Sequence, residues 1–492
     1  MAHLGPAAGA LWLPGRSLNR RAFLALSSGA SAALLSGCGS SSASPFVSPP
    51  PSTTLTPLLA NLQQQTFNYF WETSDPVLGL APDRYPNPPF ASIAAIGFAL
   101  TAYPIGVENG WITRSAAAQR VQATLQFLWS APQGTASSGC AGYQGFFYHF
   151  LDMQSGARFE TSELSVIDTT LLMAGVLFCG EYFNQSTTAE TSIRQLAANL
   201  YGQVNWPWAQ TRSPAICLSW TPESGFSPYD CIGYNEGMIV YLLALGSPTL
   251  PVATSAWSAW TSGYAQCWGT VQGYEFLTFG PLFGHQYTQV WVNLSGIQDA
   301  FMSANNSDYF KNSRLAVLAQ NAYAIANPLS WQGYGANLWG LTACDGPGDF
   351  QMAYQGQTRQ VEGYIARGVG LSNDNDDGTV APCAAIASLP FAPELVVPAS
   401  EALAQLNGGF AMGQYGFLDA FNLSIPAGSP LTQGQYVAGS GWVDTQYLGI
   451  DQGPIVAMLE NYRSQLIWST MQQSASLIQG LQRAGFSGGW LG

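Results

Sequence analysis

An uninterrupted apolar run from Met238 to Leu245 directly follows the polar stretch Gly233-Tyr234-Asn235-Glu236-Gly237. A helix that is apolar on every side has no face for solvent, so it must lie inside the fold. Only 9% of the residues are charged, whereas 13% are aromatic. The run therefore predicts an interior helix with Glu236 held at its partly buried start. Because burial raises the pKa of a carboxyl group, this position suits a general acid.

Helical patterns recur along the body of the chain. Thr113 is placed to cap a helix that carries Ala117, Val121, Leu125 and Leu128 on one face. Further helices are predicted over 57–71, 92–103, 167–183, 193–200, 235–245, 252–267, 308–326, 398–406, 455–462 and 468–484. The segments between them, 206–230, 268–299, 331–349 and 373–393, are predicted as loops that carry polar and aromatic side chains.

About a dozen helices without a linker predict one domain of roughly 430 residues. This count is the one expected for an all-α (α/α)6 barrel, in which long loops at one end form the active-site cleft. The domain is predicted to span residues 57–492.

The N-terminal 56 residues have the features of an export signal and a tether. Arg20 and Arg21 form a twin-arginine pattern, and the apolar run that follows is too short to span a bilayer. Leu35-Ser36-Gly37-Cys38 resembles a lipobox, so residues 1–38 are interpreted as a signal that ends at the lipobox cysteine. Cys38 is predicted to be lipidated and to be the first residue of the mature protein. Residues 39–56 form a Ser/Pro-rich tether. The protein is therefore expected to be exported by the twin-arginine route, to be periplasmic or surface-facing, and to contact the membrane only through its lipid.

Charge and residue types exclude several function classes. The net charge of −13 argues against binding to nucleic acid or to anionic lipid. The remaining seven cysteines form no CxxC pair, and the calcium-like run at 373–379 has Ala384 where a bidentate Glu is required. We therefore predict no metal and no cofactor, and expect a monomer. Abundant Trp, Tyr and Gly suit a neutral, ring-shaped ligand.

Carboxylates are the remaining candidates for chemistry, because the chain holds only three His and lacks the GxSxG, Walker and HExxH motifs. Glu236 is the least well explained by structure alone. Asp168, with Glu163 nearby, precedes an apolar helix, and Asp451 opens another; each could equally be a helix cap. Acid/base chemistry by carboxylates alone is typical of glycoside hydrolysis.

Eight short sequence motifs follow one another along the chain. They are Ser165-Val166-Ile167-Asp168-Thr169, Gly233-Tyr234-Asn235-Glu236, Leu282-Phe283-Gly284-His285-Gln286-Tyr287, Trp339-Gly340-Leu341-Thr342-Ala343-Cys344-Asp345-Gly346, Asp377-Gly378-Thr379-Val380-Ala381-Pro382, Ser388-Leu389-Pro390-Phe391, Tyr415-Gly416-Phe417-Leu418-Asp419-Ala420-Phe421-Asn422 and Asp451-Gln452-Gly453-Pro454. Over about residues 58–485 this set resembles the glycoamylase-like domain of bacterial β-1,2-glucanases, which also occurs in cyclic β-1,2-glucan synthases.

The resemblance implies an (α/α)6 barrel that hydrolyses β-1,2-linked glucan with inversion. Glu236 matches the general acid of the family's Tyr-Asn-Glu motif, while Asp168, Glu163 and Asp451 are the candidates for the base. An inverting pair is expected to lie about 6.5–9.5 Å apart. The expected substrate contacts are Tyr234, His285, Gln286, Trp339, Asp345, Asp377 and Tyr415.

Two alternatives remain beside an endo-acting glucanase. An exo-acting enzyme that releases sophorose or glucose, or a transglycosylase, would have the cleft closed at one end. A glycan-binding lipoprotein without catalysis would have lost Glu236 or every base candidate, and neither loss is seen.

Overall fold

The computed structural model describes residues 54–371 and 374–492. Its α-helices are α1 Pro57–Thr73, α2 Ile93–Glu108, α3 Arg114–Ser130, α4 Val166–Tyr182, α5 Thr188–Gly202, α6 Met238–Gly246, α7 Ser255–Trp260, α8 Tyr264–Cys267, α9 Phe283–Trp291, α10 Ala300–Ala304, α11 Tyr309–Ala326, α12 Pro382–Ile386, α13 Pro393–Gln405, α14 Gly449–Ser464, α15 Leu466–Met471 and α16 Ala475–Arg483. Short 3₁₀ helices cover Trp206–Ala209, Thr261–Gly263, Leu406–Gly408 and Gly489–Leu491.

Short antiparallel strands lie in the segments between the helices. The pairs are Arg84–Tyr85 with Tyr447–Leu448, Ala91–Ser92 with Phe150–Leu151, Gly142–Tyr143 with Phe146–Phe147, Ile216–Cys217 with Asp230–Cys231, Trp268–Val271 with Tyr274–Leu277, Ala343–Cys344 with Ile365–Ala366, Phe350–Tyr354 with Gln357–Val361, and Met412–Gly413 with Gly416–Phe417. Two three-stranded sheets place Ser219–Thr221 between Leu164–Ser165 and Gly225–Phe226, and Gly441–Val443 between Phe421–Asn422 and Gln435–Val437.

Six helices, α2, α4, α6, α9, α12 and α14, form an inner ring. Contacts join α2 to α4, α4 to α6, α12 to α14, and α14 back to α2. Side chains complete the ring: the Thr288 hydroxyl of α9 donates to the carbonyl oxygen of Glu236, just before α6, at 3.4 Å. The Gln286 amide of α9 donates to the Ala384 carbonyl of α12 at 2.8 Å.

A second ring of helices covers the first. Helix α1 packs on α2 and α14, α3 on α2, α5 on α4, α11 on α9, α13 on α12, and α16 on α6. The fold is therefore an (α/α)6 barrel, as predicted. Helix α15 contacts α4, α9 and α14, which are alternate members of the inner ring, and so it lies across the barrel axis at the end where α14 finishes.

The helix predictions fail in two of the six inner positions. Helices α9 and α12 lie in segments predicted as loops, 268–299 and 373–393. Both are short, at nine and five residues, and α9 carries four buried polar side chains that mask its apolar pattern. The Thr113 cap is confirmed, since its side chain accepts from the Ala116 backbone N–H. Asp168 lies in the first turn of α4, whose N-cap is Ser165.

The export signal, Cys38 and most of the tether lie outside the described residues, so they stay predictions. Across residues 54–371 and 374–492, no helix combines the length and apolarity needed to cross a bilayer. The seven cysteines of this part are free thiols, although Cys217 and Cys231 lie on paired strands.

We expect the close contact between α2 and α4 to be sensitive to a single methyl group. A side chain at Gly175 of α4 would collide with the carbonyl oxygen of Gly97 on α2. Gly175→Ala should therefore lower the free energy of unfolding by roughly 1–3 kcal/mol, measured by urea denaturation. Gly202→Ala is the control, because its new methyl group would meet only Thr249 at 3.6 Å. Equal stability of both variants would contradict this packing.

Candidate active site

The N-terminal ends of the inner helices converge at one end of the barrel, together with the loops that precede them. Backbone contacts join these ends: the Ile93 N–H of α2 donates to the His149 carbonyl, and the Gly449 N–H of α14 donates to the Asp83 carbonyl. The Val166 N–H of α4 donates to the Leu218 carbonyl. Because helix N-termini carry partial positive charge, this end of the barrel favours carboxylates and other electron-rich oxygens.

Glu236 lies two residues before α6 and is buried, with 6% of its surface exposed. The neighbouring Asn235 side chain accepts from the Gly237 backbone N–H at 2.7 Å, which shapes the turn into the helix. The backbone of Glu236 is held by Thr288 of α9. The position predicted from the apolar run is therefore correct, and two ring helices fix this residue.

His149 links two of the base candidates. Its Nδ1 lies 3.0 Å from Glu163 Oε1, and its Nε2 lies 3.4 Å from Asp168 Oδ2. The Ser165 hydroxyl donates to the same Asp168 oxygen at 2.5 Å, and its oxygen accepts from the Asp168 N–H. His149 is thus hydrogen-bonded to Glu163 and in longer contact with Asp168, and the three side chains are buried, with exposures of 9% for Glu163, 1% for His149 and 3% for Asp168.

Asp451, the third base candidate, lies in the first turn of α14 and is 2% exposed. The Cys383 thiol of α12 is 3.6 Å from its Oδ1. Its surroundings are acidic: burial, and then the charge of Asp451, raise the pKa of Asp419 well above its usual value. Asp451 therefore belongs to a different group of carboxylates from Glu163 and Asp168.

Asp345, Asp419 and Asp444 form an acidic group next to Asp451. Oxygen atoms of the three carboxylates lie within 4.8 Å of one another, a spacing that could hold a metal ion. Arg84 donates to Asp345 Oδ2 at 3.0 Å, and Asp419 Oδ2 accepts from the Asp345 backbone N–H at 2.8 Å. Burial and the neighbouring Asp345 also raise the pKa of Asp444. Raised pKa values favour shared protons within this group.

Tyr234, two residues before Glu236, forms a buried pair with His285. His285 Nε2 lies 3.1 Å from the Phe279 carbonyl oxygen, so this nitrogen carries the hydrogen, and Nδ1 accepts from the Tyr234 hydroxyl at 3.1 Å. Burial lowers the pKa of His285 to about 4, which keeps the ring neutral. Both ring nitrogens make hydrogen bonds within the protein. His285 therefore holds Tyr234 and the Phe279 loop in place.

The other predicted contacts are also buried, and Gln286, Asp377 and Tyr415 are hydrogen-bonded within the protein. Gln286 donates to Ala384 and Ser388 of the neighbouring segment, and Trp339 is 1% exposed. Asp377 accepts from the Arg367 guanidinium at 2.7 and 2.8 Å; burial opposes ionisation, but Arg367 outweighs it and lowers the pKa of Asp377. The Tyr415 hydroxyl donates to Glu72 at 3.0 Å.

Four residues of this end were not identified from the sequence as site candidates: Arg84, His149, Asp419 and Asp444. Asp419 lies inside one of the quoted motifs, which was a usable signal. The other three are isolated charged or aromatic residues whose partners are far away in sequence, so spacing alone cannot find them.

Comparisons with known proteins agree with this architecture. A family model described as "Putative glucoamylase" (Glycoamylase) matches residues 228–475. An exo β-1,2-glucooligosaccharide sophorohydrolase (non-reducing end) of Parabacteroides distasonis is 30% identical over 458 residues, or 87% of this chain. The chain spans 57% of that curated relative's length.

Two solved structures extend the comparison. The endo-β-1,2-glucanase of Chitinophaga pinensis, in complex with sophorotriose and glucose, is 26% identical with a TM-score of 0.74, covering 88% of this chain and 98% of that one. The β-1,2-glucanase of Parabacteroides distasonis is 28% identical with a TM-score of 0.73, covering 87% and 60%.

We expect the neutral His285 to make stability pH-dependent. Its folded pKa, about 4, lies below the ordinary value of 6.5, so the unfolded chain binds more protons between these values. Stability from this residue is complete above pH 6.5 and is lost as the pH falls towards 4, by up to about 3 kcal/mol. Urea denaturation at pH 7, 5.5 and 4.5 should show a smaller loss in His285→Gln than in the wild type. Parallel losses would contradict the assignment.

Proposed function

Since the chain belongs to the glycoamylase-like domain family, we propose that it is a glycoside hydrolase that cleaves β-1,2-linked glucan internally and with inversion. The observation that carries the proposal is the position of Glu236: a buried carboxyl group just before the N-terminus of α6, at the end of the barrel where Asp168 and Asp451 also lie. Endo action is supported by the match to 98% of the Chitinophaga pinensis endo-glucanase chain.

Glu236 is proposed as the general acid. A general acid must donate a proton to the glycosidic oxygen as the bond breaks. The sparse charge of this chain leaves few groups for that task, and Glu236 is the glutamate of the Tyr-Asn-Glu motif. Its turn is fixed by Asn235 and Thr288, so the carboxyl group can be held in a defined direction.

Asp168 is proposed as the general base, positioned by Ser165 and, through His149, by Glu163. A general base must be ionised to activate water. His149 lies between Asp168 and Glu163 and contacts both carboxylates. Asp451 is the alternative base, although its neighbour Asp419 is itself a carboxylate within the acidic group of Asp345 and Asp444.

Exo action is the second candidate function. It is favoured by the 30% identity with a sophorohydrolase that acts at the non-reducing end. The two modes differ in the products that they release first, so one assay separates them.

We expect a purified protein of residues 40–492 to convert linear β-1,2-glucan into a ladder of β-1,2-oligosaccharides at early times. Inversion predicts that the new reducing ends appear as the α-anomer in ¹H NMR spectra. Laminarin and cellulose oligomers serve as controls. Sophorose alone as the first product would establish the exo alternative. Absence of any product, with glucan binding retained, would contradict hydrolysis.

Replacing the proposed acid should abolish turnover without unfolding the protein. Glu236→Gln keeps size and polarity but cannot donate the proton, so kcat should fall by about 10²–10⁴-fold while glucan binding persists. Glu275→Gln, which changes an exposed glutamate on the 268–277 hairpin, is the matched control.

The same assay tests the base. Asp168→Asn should lower kcat as severely as Glu236→Gln, whereas Asp451→Asn should retain more activity. If Asp451→Asn lowered kcat more than Asp168→Asn, the role of general base would pass to Asp451. Near-full turnover of Glu236→Gln would remove that residue from the mechanism.

A further inference from the structure

A cavity of about 490 Å³ opens at the end of the barrel remote from the candidate active site. It lies between the start of α1, the residues after α2 and the last turn of α14, and its polar and aromatic lining includes Asn61, Gln63, Gln64, Asn109, Trp111 and Arg463. Helix α2 begins at the candidate active site and has 16 residues, so Asn109, its C-cap, lies about 24 Å from that site along the helix. The cavity is therefore separate from the cleft.

A buried carboxylate organises this lining. Glu460 of α14 is fully buried and accepts from Gln63 Nε2 at 2.8 Å and from Asn109 Nδ2 at 3.1 Å. It also accepts from Arg463 Nη2 at 2.6 Å. Side chains from three helices, α1, α2 and α14, are thus held by one carboxylate. Side chains fixed in this way lose little entropy when a ligand binds, and an amide held through its nitrogen keeps an oxygen as acceptor.

The chemistry of the lining suits a neutral, hydroxyl-rich ligand. Among the lining residues described, Arg463 carries the charge, and its ion pair with Glu460 offsets it. The half-buried Trp111 packs on Phe67, with ring centroids 5.1 Å apart, so its indole is braced from one side. An aromatic ring beside carboxamides is the combination that binds a sugar ring, with stacking on one face and hydrogen bonds to hydroxyl groups.

We propose that this cavity is a second glucan-binding site, which holds part of a polymer chain while another part occupies the cleft. The identity of the glucan rests on the proposed function, whereas the site itself rests on the cavity and on the group that Glu460 organises. The volume suits a short stretch of a neutral oligosaccharide rather than a charged or purely apolar ligand.

The test is electrophoresis in native gels that contain linear β-1,2-glucan, using Glu236→Gln protein so that the polymer stays intact. Trp111→Ala and Gln64→Ala in this background should each weaken the retardation, with apparent dissociation constants raised roughly three- to ten-fold. Gln64 is exposed, so its replacement leaves folding intact. Gln195→Ala, an exposed amide on outer helix α5, is the matched control. With Glu236 present, both cavity variants should keep wild-type kcat/KM on a short β-1,2-glucooligosaccharide.

Retardation equal to that of the parent in both cavity variants would overturn the proposal. A loss of kcat/KM on the short oligosaccharide would also overturn it, because the variants would then be acting on the cleft. Trp111-dependent retardation by laminarin, without any by β-1,2-glucan, would support the second site while contradicting the proposed linkage. The proposal of a second binding site and the proposed β-1,2 linkage can therefore be refuted independently.

Discussion

Burial of the inner helices on all sides is the constraint from which the rest of the architecture follows. Helix α4 shows it most clearly: its 17 residues contain two charged side chains, Asp168 in the first turn and Glu181 in the last. Helix α6 contains none. A helix of this kind needs neighbours on every face, and two concentric rings supply them. Polar side chains are then confined largely to helix ends and to the loops that join them, and this is where the carboxylates are found.

The carboxylate-rich end of the barrel separates into two electrostatic environments. In one, His149 lies between Glu163 and Asp168. In the other, Asp345, Asp419 and Asp444 lie together, and Arg84 pairs with Asp345. In the second environment, burial and mutual repulsion raise the pKa values of Asp419 and Asp444. The proposed base, Asp168, belongs to the first environment, whereas the alternative base, Asp451, lies beside the second.

Sequence reasoning succeeded where local physics decides the outcome and failed where the decision is tertiary. The Thr113 cap and the apolar core of α4 were predictable, because capping and uninterrupted hydrophobicity act within a few residues. Helices α9 and α12 were not, since they are short and are held partly by side-chain bonds such as Gln286 to Ala384. The contact between Asp419 and Asp345 joins residues 74 positions apart, and no spacing rule anticipates it. The burial of Tyr234, Trp339 and Asp377 was likewise not predictable, because the sequence identifies them only as polar or aromatic residues in loops.

Helix α15 gives the barrel a further property through its position across the axis. It contacts three alternate inner helices, and its Trp468 indole donates to the Gln289 carbonyl of α9 at 2.7 Å. Helix α15 thus closes the ring at this end, so a polymer could not pass through the barrel along its axis. A polymer substrate of the proposed hydrolase would therefore have to enter and leave the cleft by the same mouth. The loops that surround this mouth would then control access to the carboxylates.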